Sequence, residues 1–389
     1  MTEQRVIPES FPATESPEPH SPDIPDPDTP DREGWRPLVL FQARGIDFFW
    51  IVLRNLFFII LTLGVYSFWA RVRNRVFLWR STRILGDPLE YTGTGKELFI
   101  SFLIVMGFLL VLILIQFMSL ALLPSRAAVT QTLLYVGLLY ALHFAIYRSI
   151  RFRLTRTRWR GIRGNLDGSA AKYALKAFAY TWAVIGTLGI LGPWCTSRLV
   201  SFLMNNTLFG NRRFSFNGPP RELYFAYFLV MLVSFALIGT GAFIIFSVFS
   251  SIDAAAITNA KPDPDALLHV SRTFILVYVV LAIALILVST MYQAAFTRWL
   301  FGHLSFGAMR LRSTLTAGAL FKLYLGNILL LACTLGLAYP WVRLRSLRLP
   351  LNCIAYQGAP DLERLLQDTM PAPKRGEGFL EAMDIDIGM

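Results

Sequence analysis

Long apolar segments constrain this chain more than any other feature of its sequence. At a rise of 1.5 Å per residue, a helix of about 20 apolar residues crosses the roughly 30 Å hydrocarbon core of a bilayer. Only 16% of the 389 residues are charged, against about a quarter in a soluble domain. The sequence therefore predicts an all-α, polytopic integral membrane protein with seven apolar helical segments, at about residues 46–69, 98–123, 131–147, 173–194, 222–249, 273–296 and 318–341.

A short motif closes three of these segments. In each copy a Thr-Leu-Gly triplet is followed by a Trp five residues after the Gly and by an Arg nine residues after it. The shared positions are Thr62, Gly64, Trp69 and Arg73, then Thr187, Gly189, Trp194 and Arg198, then Thr334, Gly336, Trp341 and Arg345. The recurrence predicts three internal repeats, with units at about residues 40–123, 150–249 and 298–360.

Charge divides the chain into three parts. Residues 1–36 hold nine acidic and three basic residues among many prolines, a composition typical of a disordered tail. Residues 361–389 form a second acidic tail, with seven acidic and three basic residues. Residues 37–360, the predicted membrane domain, hold 31 basic and nine acidic residues.

The basic residues of the membrane domain point to lipid as a partner. Arginine beside a membrane usually faces anionic headgroups, so we expect anionic membrane lipids as partners. Nucleic-acid binding is not expected, because these arginines lie between membrane segments rather than on one soluble basic domain. The sequence leaves the oligomeric state open.

Two topologies fit the apolar segments. If all seven cross the bilayer with the N-terminus outside, the inner loops hold 18 basic residues and the outer loops eight. If the three motif segments are re-entrant and four segments span, the inner loops hold 24 and the outer loops two. The positive-inside rule favours the second topology, although a re-entrant backbone needs its polar groups satisfied inside the membrane. Both remain open at this point.

The motif itself has two interpretations. In the first, Trp and Arg anchor a helix end at the headgroups and the Gly residues allow close helix packing. In the second, the motif breaks a helix, and freed backbone groups together with the Thr residues line a polar cavity for an anion or a lipid headgroup. Both need the same residues, so the sequence does not separate them.

Polar residues inside the apolar segments are further candidates, because such residues in a membrane are functional by default. Those that precede the motif copies are Arg54, Asn55, Lys176, Lys322 and Asn327. Snorkelling of the charged side chains to a nearby interface is the alternative.

No catalytic or metal site is expected. The four His residues lack metal-ligand spacing and the three Cys residues form no metal motif. We therefore expect no cofactor and no enzymatic activity.

Several stretches together resemble a known family. They are Leu61–Tyr66 (LTLGVY), Trp69–Arg73 (WARVR), Glu90–Phe99 (EYTGTGKELF) and the basic element Arg158–Arg163 (RWRGIR). In this order they resemble the YjgN-like family of bacterial inner-membrane proteins, a domain of unknown function, over about residues 38–360. The resemblance implies a multi-pass protein of the bacterial inner (cytoplasmic) membrane and no mechanism. The acidic Pro-rich tail departs from the family core.

Two functions are compatible with these features. Internal repeats, broken-helix signals and buried cations favour a transporter or channel-like protein for a small anionic solute. The arginine-rich inner side favours instead a non-transporting, lipid-binding or envelope-organising membrane protein.

Overall fold

The computed structural model describes residues 33–258 and 264–358. Within these ranges it contains ten α-helices and eleven short β-strands. The helices are α1 Gly45–Leu61, α2 Ser67–Arg80, α3 Gly95–Leu122, α4 Ala127–Arg156, α5 Ala170–Gly186, α6 Gly192–Asn206, α7 Arg221–Thr258, α8 Pro264–Gly302, α9 Ala317–Cys333 and α10 Tyr339–Asn352. The strands are β1 Arg36–Pro37, β2 Val39–Phe41, β3 Thr82–Ile84, β4 Asp87–Tyr91, β5 Thr157–Trp159, β6 Ile162–Leu166, β7 Thr207–Phe209, β8 Arg212–Phe216, β9 Leu304–Phe306, β10 Met309–Ser313 and β11 Ile354–Gln357.

The strands form one antiparallel sheet that closes on itself. The strand order is β1-β11-β10-β9-β8-β7-β6-β5-β4-β3-β2, and only Leu38 separates β1 from β2. The Leu38 N–H donates to the Ile354 carbonyl at 2.9 Å, and the Leu38 carbonyl accepts from the Leu85 N–H at 3.1 Å. These two bonds join the ends of the sheet into a strand ring, which leaves no open edge for pairing with another chain.

The ring is built from β-hairpins of one design. Four hairpins join a three-residue strand to a five-residue strand through a two-residue turn, at residues 85–86, 160–161, 210–211 and 307–308. Each turn contains a Gly with positive φ, a conformation that only Gly adopts without steric cost. The fifth pair of strands brings β11, near the end of the chain, against β1.

Five pairs of helices alternate with these hairpins, and one hydrogen bond closes each pair. The donor is the backbone N–H of the residue that directly follows the strand before the pair, that is β2, β4, β6, β8 or β10. The acceptor is a backbone carbonyl at the end of the second helix of the pair. We call these the neck hydrogen bonds: Gln42 to Ser81 (2.8 Å), Thr92 to Arg156 (2.8 Å), Asp167 to Asn206 (2.8 Å), Asn217 to His303 (3.3 Å) and Thr314 to Cys353 (2.9 Å). Because both ends of a helix pair meet at adjacent strands, the chain returns to the side of the membrane from which it left.

The helix pairs fall into two length classes. The long pairs α3–α4 and α7–α8 contain four helices long and apolar enough to span a membrane, at Gly95–Leu122, Pro124–Arg156, Arg221–Ile244 and Phe274–Gly302. The short pairs α1–α2, α5–α6 and α9–α10 have helices of 14 to 17 residues and carry the three motif copies. The described residues thus have the geometry of the second topology, with four candidate spans and three segments that enter and return.

The all-α prediction is wrong, because the strand ring connects the helices. The first motif segment forms two helices, α1 and α2, and the residues that follow Arg80 form a hairpin, β3–β4. Likewise Tyr91 and Phe216, which lie a few residues before α3 and α7, end strands β4 and β8. Strands of two to five residues leave almost no periodic pattern in a sequence, and they are stabilised by partners that lie far away along the chain.

The two faces of the ring differ in polarity. The strand register places Trp159, Phe209, Phe306 and Leu311 on one face, and helix residues such as Val200 and Trp299 pack against this side as a buried cluster with Phe216, Leu304 and Leu311. The opposite face is the arginine face, and its basic residues are Arg83, Arg158, Arg163, Arg213, Arg310 and Arg312.

Most of the two predicted tails lies outside the described residues. Of the N-terminal tail the structure describes only residues 33–36, and Arg36 already belongs to β1. The domain boundaries inferred from composition remain predictions.

The ring predicts which loops are reachable from each side of the membrane. In a variant without native cysteines, Ser125→Cys, in the α3–α4 connection, should react with a membrane-impermeant maleimide in intact cells. Arg213→Cys and Ser305→Cys, in the ring, should react only after permeabilisation, because all helix pairs return to the ring. Labelling of Ser125→Cys and of the two ring positions from the same side would contradict the fold.

Candidate functional site

The three motif copies form the same sharp turn between the two helices of a short pair. Two consecutive residues take left-handed backbone conformations: Leu63 and Gly64 with φ of 48° and 92°, Leu188 and Gly189 with 49° and 91°, and Leu335 and Gly336 with 49° and 87°. Glycine adopts this conformation freely, whereas each Leu does so at a cost of about 1 kcal/mol. The second position of the turn therefore explains the repeated Gly.

The motif Thr satisfies backbone groups on both sides of the turn. The Thr62 hydroxyl donates to the Phe58 carbonyl at 2.7 Å and accepts from the Tyr66 N–H at 2.9 Å. Thr187 and Thr334 make the equivalent pairs of hydrogen bonds. The hydroxyl thus ends one helix and caps the next, which removes the main physical objection to a re-entrant backbone.

Each turn exposes an apolar tip. The side chains of Leu63, Leu188 and Leu335 are 94%, 75% and 93% exposed, values that a water-soluble surface would rarely show for leucine at three equivalent positions. A lipid environment accounts for this exposure, because the Leu side chain is as apolar as a lipid tail. The exposed leucines are therefore compatible with insertion of the tips into hydrocarbon.

The motif Trp residues pack within the protein. Trp69 lies against Gly95 at the start of α3, and its ring centroid is 5.9 Å from that of Phe99. Trp341 lies in the same way against Gly45 at the start of α1. These contacts fix the second helix of a short pair to the first turn of the helix beside it, while 38% of each of the two indoles stays exposed. The third indole, Trp194, packs against Tyr180 at 5.4 Å.

The motif Arg residues face outwards. Arg73, Arg198 and Arg345 are all exposed, and none has an ion pair with a carboxylate in the described part of the chain. Arg73 lies 5.6 Å from the ring centroid of Tyr66, and Arg198 lies 5.4 Å from that of Trp194. Their charges are therefore available to an external anion.

The structure does not gather these arginines into one cavity. Arg73 lies on α2, which contacts α1 and α3, and Arg198 lies on α6, which contacts α5 and α7. Arg345 lies on α10, which contacts α9. The contact between α10 and α1 closes the circle of helices. The motif thus produces three similar sites around the protein.

Two predicted polar residues hold the short pairs together. The Asn55 side-chain amide donates to the Asn74 side chain at 2.9 Å, and that of Asn327 donates to the Ser346 hydroxyl at 3.0 Å. Both Asn side chains are buried, and in both pairs the partners lie 19 residues apart across the turn. Their role in this structure is to link the two helices of a pair.

The predicted cations Arg54, Lys176 and Lys322 lie on exposed faces of α1, α5 and α9. Lys176 lies 5.0 Å above the ring of Phe202 on the partner helix α6. Arg54 is at the level of the Asn55–Asn74 bond, so Arg54 and Arg73 occupy one height on their short pair. Each short pair therefore presents basic residues of both its helices to the surroundings.

Sequence reasoning missed two contacts between a basic side chain and a carboxylate at the necks of the long pairs. Arg156, the last residue of α4, binds Glu97 in the first turn of α3 at 2.8 Å. In the other long pair His303 lies 3.6 Å from Glu222. Glu97 and Glu222 both lie in the first turn of their helices, α3 and α7. The signal that could have revealed these contacts is a shared position: Arg156 directly precedes β5 and His303 directly precedes β9, each the first strand of a hairpin.

The long pair α3–α4 also encloses a small, mainly apolar pocket. Its volume is about 190 Å³. It is lined by leucines together with Ile113, Gln116, Gln131 and Tyr135. None of the residues predicted as a site lies in it.

Reactive chemistry is sparse among the described residues. No group of three or more His, Cys, Asp and Glu side chains there is placed to hold a metal ion. Burial raises the pKa of the Cys353 thiol, and a smaller opposing effect comes from its contact with Thr314. That thiol is therefore protonated, and a weak nucleophile, near neutral pH. The expectation that the protein is not an enzyme stays a prediction.

Comparison with known proteins agrees with the sequence resemblance. A family model described as "Bacterial protein of unknown function (DUF898)" matches residues 37–382. The chain is 24% identical over 368 residues to inner membrane protein YjgN of Salmonella typhimurium, covering 86% of this chain and 91% of that protein. It is 23% identical over 344 residues to the protein of the same name from Escherichia coli O157:H7, covering 78% and 84%. No solved structure matches.

These relatives and the four candidate spans confirm that the chain is a multi-pass protein of the bacterial inner membrane.

The turn geometry predicts a specific role for the motif Thr. Thr334→Val should destabilise the protein by about 1–3 kcal/mol, because the Ala338 N–H loses its partner within hydrocarbon. Unfolding in mild detergent, followed by circular dichroism, measures the effect.

Thr240→Val is the matched control, because the Thr240 hydroxyl is bonded only to the carbonyl four residues earlier. It should change stability by less than about 0.5 kcal/mol. Equal losses in the two variants would refute a special role for the motif hydroxyl.

The Trp–Gly contact predicts a second pair of variants. A Cβ at residue 95 would lie 2.7 Å from the Trp69 ring and 3.0 Å from the Trp69 Cα, so Gly95→Ala should cost about 1–3 kcal/mol. Gly107→Ala, on the same helix, meets no atom within 4 Å and should be neutral or stabilising by up to about 1 kcal/mol. The same unfolding measurement compares the two variants. An unchanged free energy of unfolding in Gly95→Ala would show that the Trp69–Gly95 contact does not fix α3 to α2.

Proposed function

Because the chain belongs to the family described as "Bacterial protein of unknown function (DUF898)", which brings no activity with it, we propose a function from the geometry of the short pairs. The protein binds anionic phospholipid through the motif arginines and organises one leaflet of the inner membrane. The observation that carries this proposal is the set of exposed arginines, Arg73, Arg198 and Arg345, each placed four residues after a Trp and free of any ion pair with the described residues.

The height of the charges favours insertion into one leaflet. Arg73, Arg198 and Arg345 lie nine residues after the motif Gly, which corresponds to about 14 Å of helix. The stretch between this level and the tip includes exposed Phe57, Ile60 and Leu61. About 14 Å is half of a 30 Å hydrocarbon core. Each short pair therefore inserts an apolar tip, which we call the wedge, into one leaflet. Its basic residues, the motif Arg and the Arg or Lys of the first helix, lie at headgroup height, and we call them the collar.

The collar has the chemistry of a phosphate site. An exposed guanidinium beside a half-exposed indole suits a lipid phosphate with its glycerol backbone. In the first short pair Arg54 adds a second cation at the height of Arg73, and Lys176 and Lys322 lie on the equivalent helices of the other two pairs. Phosphatidylglycerol or cardiolipin would match such paired cations.

The charge census supports a cytoplasmic position for the strand ring. With four spans and three returning pairs, the ring-side loops hold 24 basic residues and the far-side connections hold three, Arg126, Lys261 and Arg272, and basic loops stay in the cytoplasm. The wedges would then enter the cytoplasmic leaflet. The shared turn angles, Thr hydrogen bonds and register further support descent of the three short pairs from one repeated unit.

Transport of a small anionic solute stays a prediction. The transport function requires that the motif Thr hydroxyls line a polar cavity and that the motif arginines surround this cavity. The hydroxyls are instead bonded within their own turns, and the arginines lie at three separate places.

Replacement of the three motif arginines tests the lipid function. In the combined variant Arg73→Gln, Arg198→Gln, Arg345→Gln, affinity for cardiolipin should fall roughly fivefold per site, because a basic residue at an anionic surface contributes about 1 kcal/mol. Native mass spectrometry of the purified protein measures bound lipid and the dissociation constant, and size-exclusion chromatography checks folding.

The matched control is Arg83→Gln, Arg158→Gln, Arg310→Gln, which removes the same charge from exposed arginines of the ring. Lipid binding should be unchanged in it. Equal loss in the two variants would mean that net charge alone attracts lipid. Unchanged lipid binding in the motif variant together with lost solute flux would favour transport.

A further inference from the structure

The arginine face carries much more positive than negative charge. On the strands, six arginines share this face with a single acidic residue, Glu90, and Asp167 follows directly after β6. Arg213 pairs with Asp167. Arg83, Arg158 and Arg310 are exposed and have no ion pair with the described residues. Such a face needs a source of negative charge, because clustered like charges repel one another.

The chain that leads into β1 already lies on this face. Glu33 accepts a hydrogen bond from Arg312 at 2.7 Å, and the Arg312 guanidinium stacks over the Trp35 ring at 4.3 Å. The Gln357 side chain donates to the Glu33 carbonyl at 3.0 Å. These contacts place the end of the N-terminal segment beside β10 and β11, at the edge of the ring that lies away from the helices.

The residues before Glu33 complement the arginine face in charge. Residues 1–32 hold eight acidic and two basic residues, hence a net charge of −6. Eight prolines separate the acidic residues, and Pro-rich chains favour an extended conformation that loses little entropy on docking.

The segment is also long enough. At about 3.1 Å per residue in the extended form, 32 residues reach about 100 Å. The circumference of the ring is about 50 Å, because neighbouring strands lie about 4.8 Å apart. One segment can therefore follow the arginine face past every hairpin.

We propose that residues 1–32 dock along the arginine face of the strand ring, starting from the Glu33–Arg312 pair. The segment acts as an intramolecular counter-ion and keeps the face from binding other polyanions. The C-terminal residues 359–389 are the weaker candidate, because their net charge is −4, against −6 for residues 1–32.

Carbodiimide coupling tests this placement in the full-length protein in mild detergent. The reagent joins carboxylates to amines, and the arginine face contains no lysine, so Arg310→Lys introduces one amine and keeps the charge. Mass spectrometry should find Lys-directed links from position 310 to acidic residues between Glu3 and Asp31 within one chain. The yield should fall at least fivefold between 50 mM and 500 mM NaCl, because salt screens exposed charges.

Arg345→Lys is the matched control, because Arg345 is an exposed arginine outside the ring, and it should give no such link. A second variant, in which the eight acidic residues of the segment become Asn or Gln, should abolish the link and bind heparin several-fold more tightly. Links from position 310 only to residues 361–386, links only between two chains, or no link to the segment would each overturn the proposal.

Discussion

The neck hydrogen bond is the interaction on which the rest of this structure depends. It occurs once at the base of every helix pair, together with the pairing of the two strands that flank the pair. Any segment that leaves the ring must consequently come back to it. A long pair can satisfy this condition by crossing the membrane twice, and a short pair by turning around inside it. The same closure thus permits four spans and three wedges in one chain.

The turn at the tip of a short pair solves the problem that this closure creates. A backbone that reverses inside hydrocarbon exposes polar groups that water cannot reach. Here a single Thr hydroxyl serves as donor to one helix and as acceptor for the next, while the Leu-Gly pair supplies the left-handed turn. The most exposed side chain of each tip is then a leucine. The bonded Thr hydroxyls and the exposed leucines favour an inserted apolar tip, rather than the lining of a polar cavity, as the role of the motif.

Positive charge is sorted into two layers with different surroundings. The motif arginines lie on α2, α6 and α10, about 14 Å of helix from the tips, and for this reason we propose lipid phosphate as their partner. The arginine face belongs to the strand ring, away from the lipid tails, where Glu33 already binds Arg312. The two layers are thus separate, one on the helices of the short pairs and the other on the strand ring.

The sequence by itself determined the membrane class, the motif register and the candidate residues on the short pairs, because hydrophobicity, turn preference and charge are local properties. It also indicated the candidate Asn55 and Asn327, although not that each ties two helices together. Only the tertiary structure decided that the eleven strands close into a ring and that Glu97 contacts Arg156. Strands this short carry little local signal, and β1 gains its partner from β11, near the opposite end of the chain. Pairing over such a distance depends on how all the helix pairs return, which no local pattern encodes.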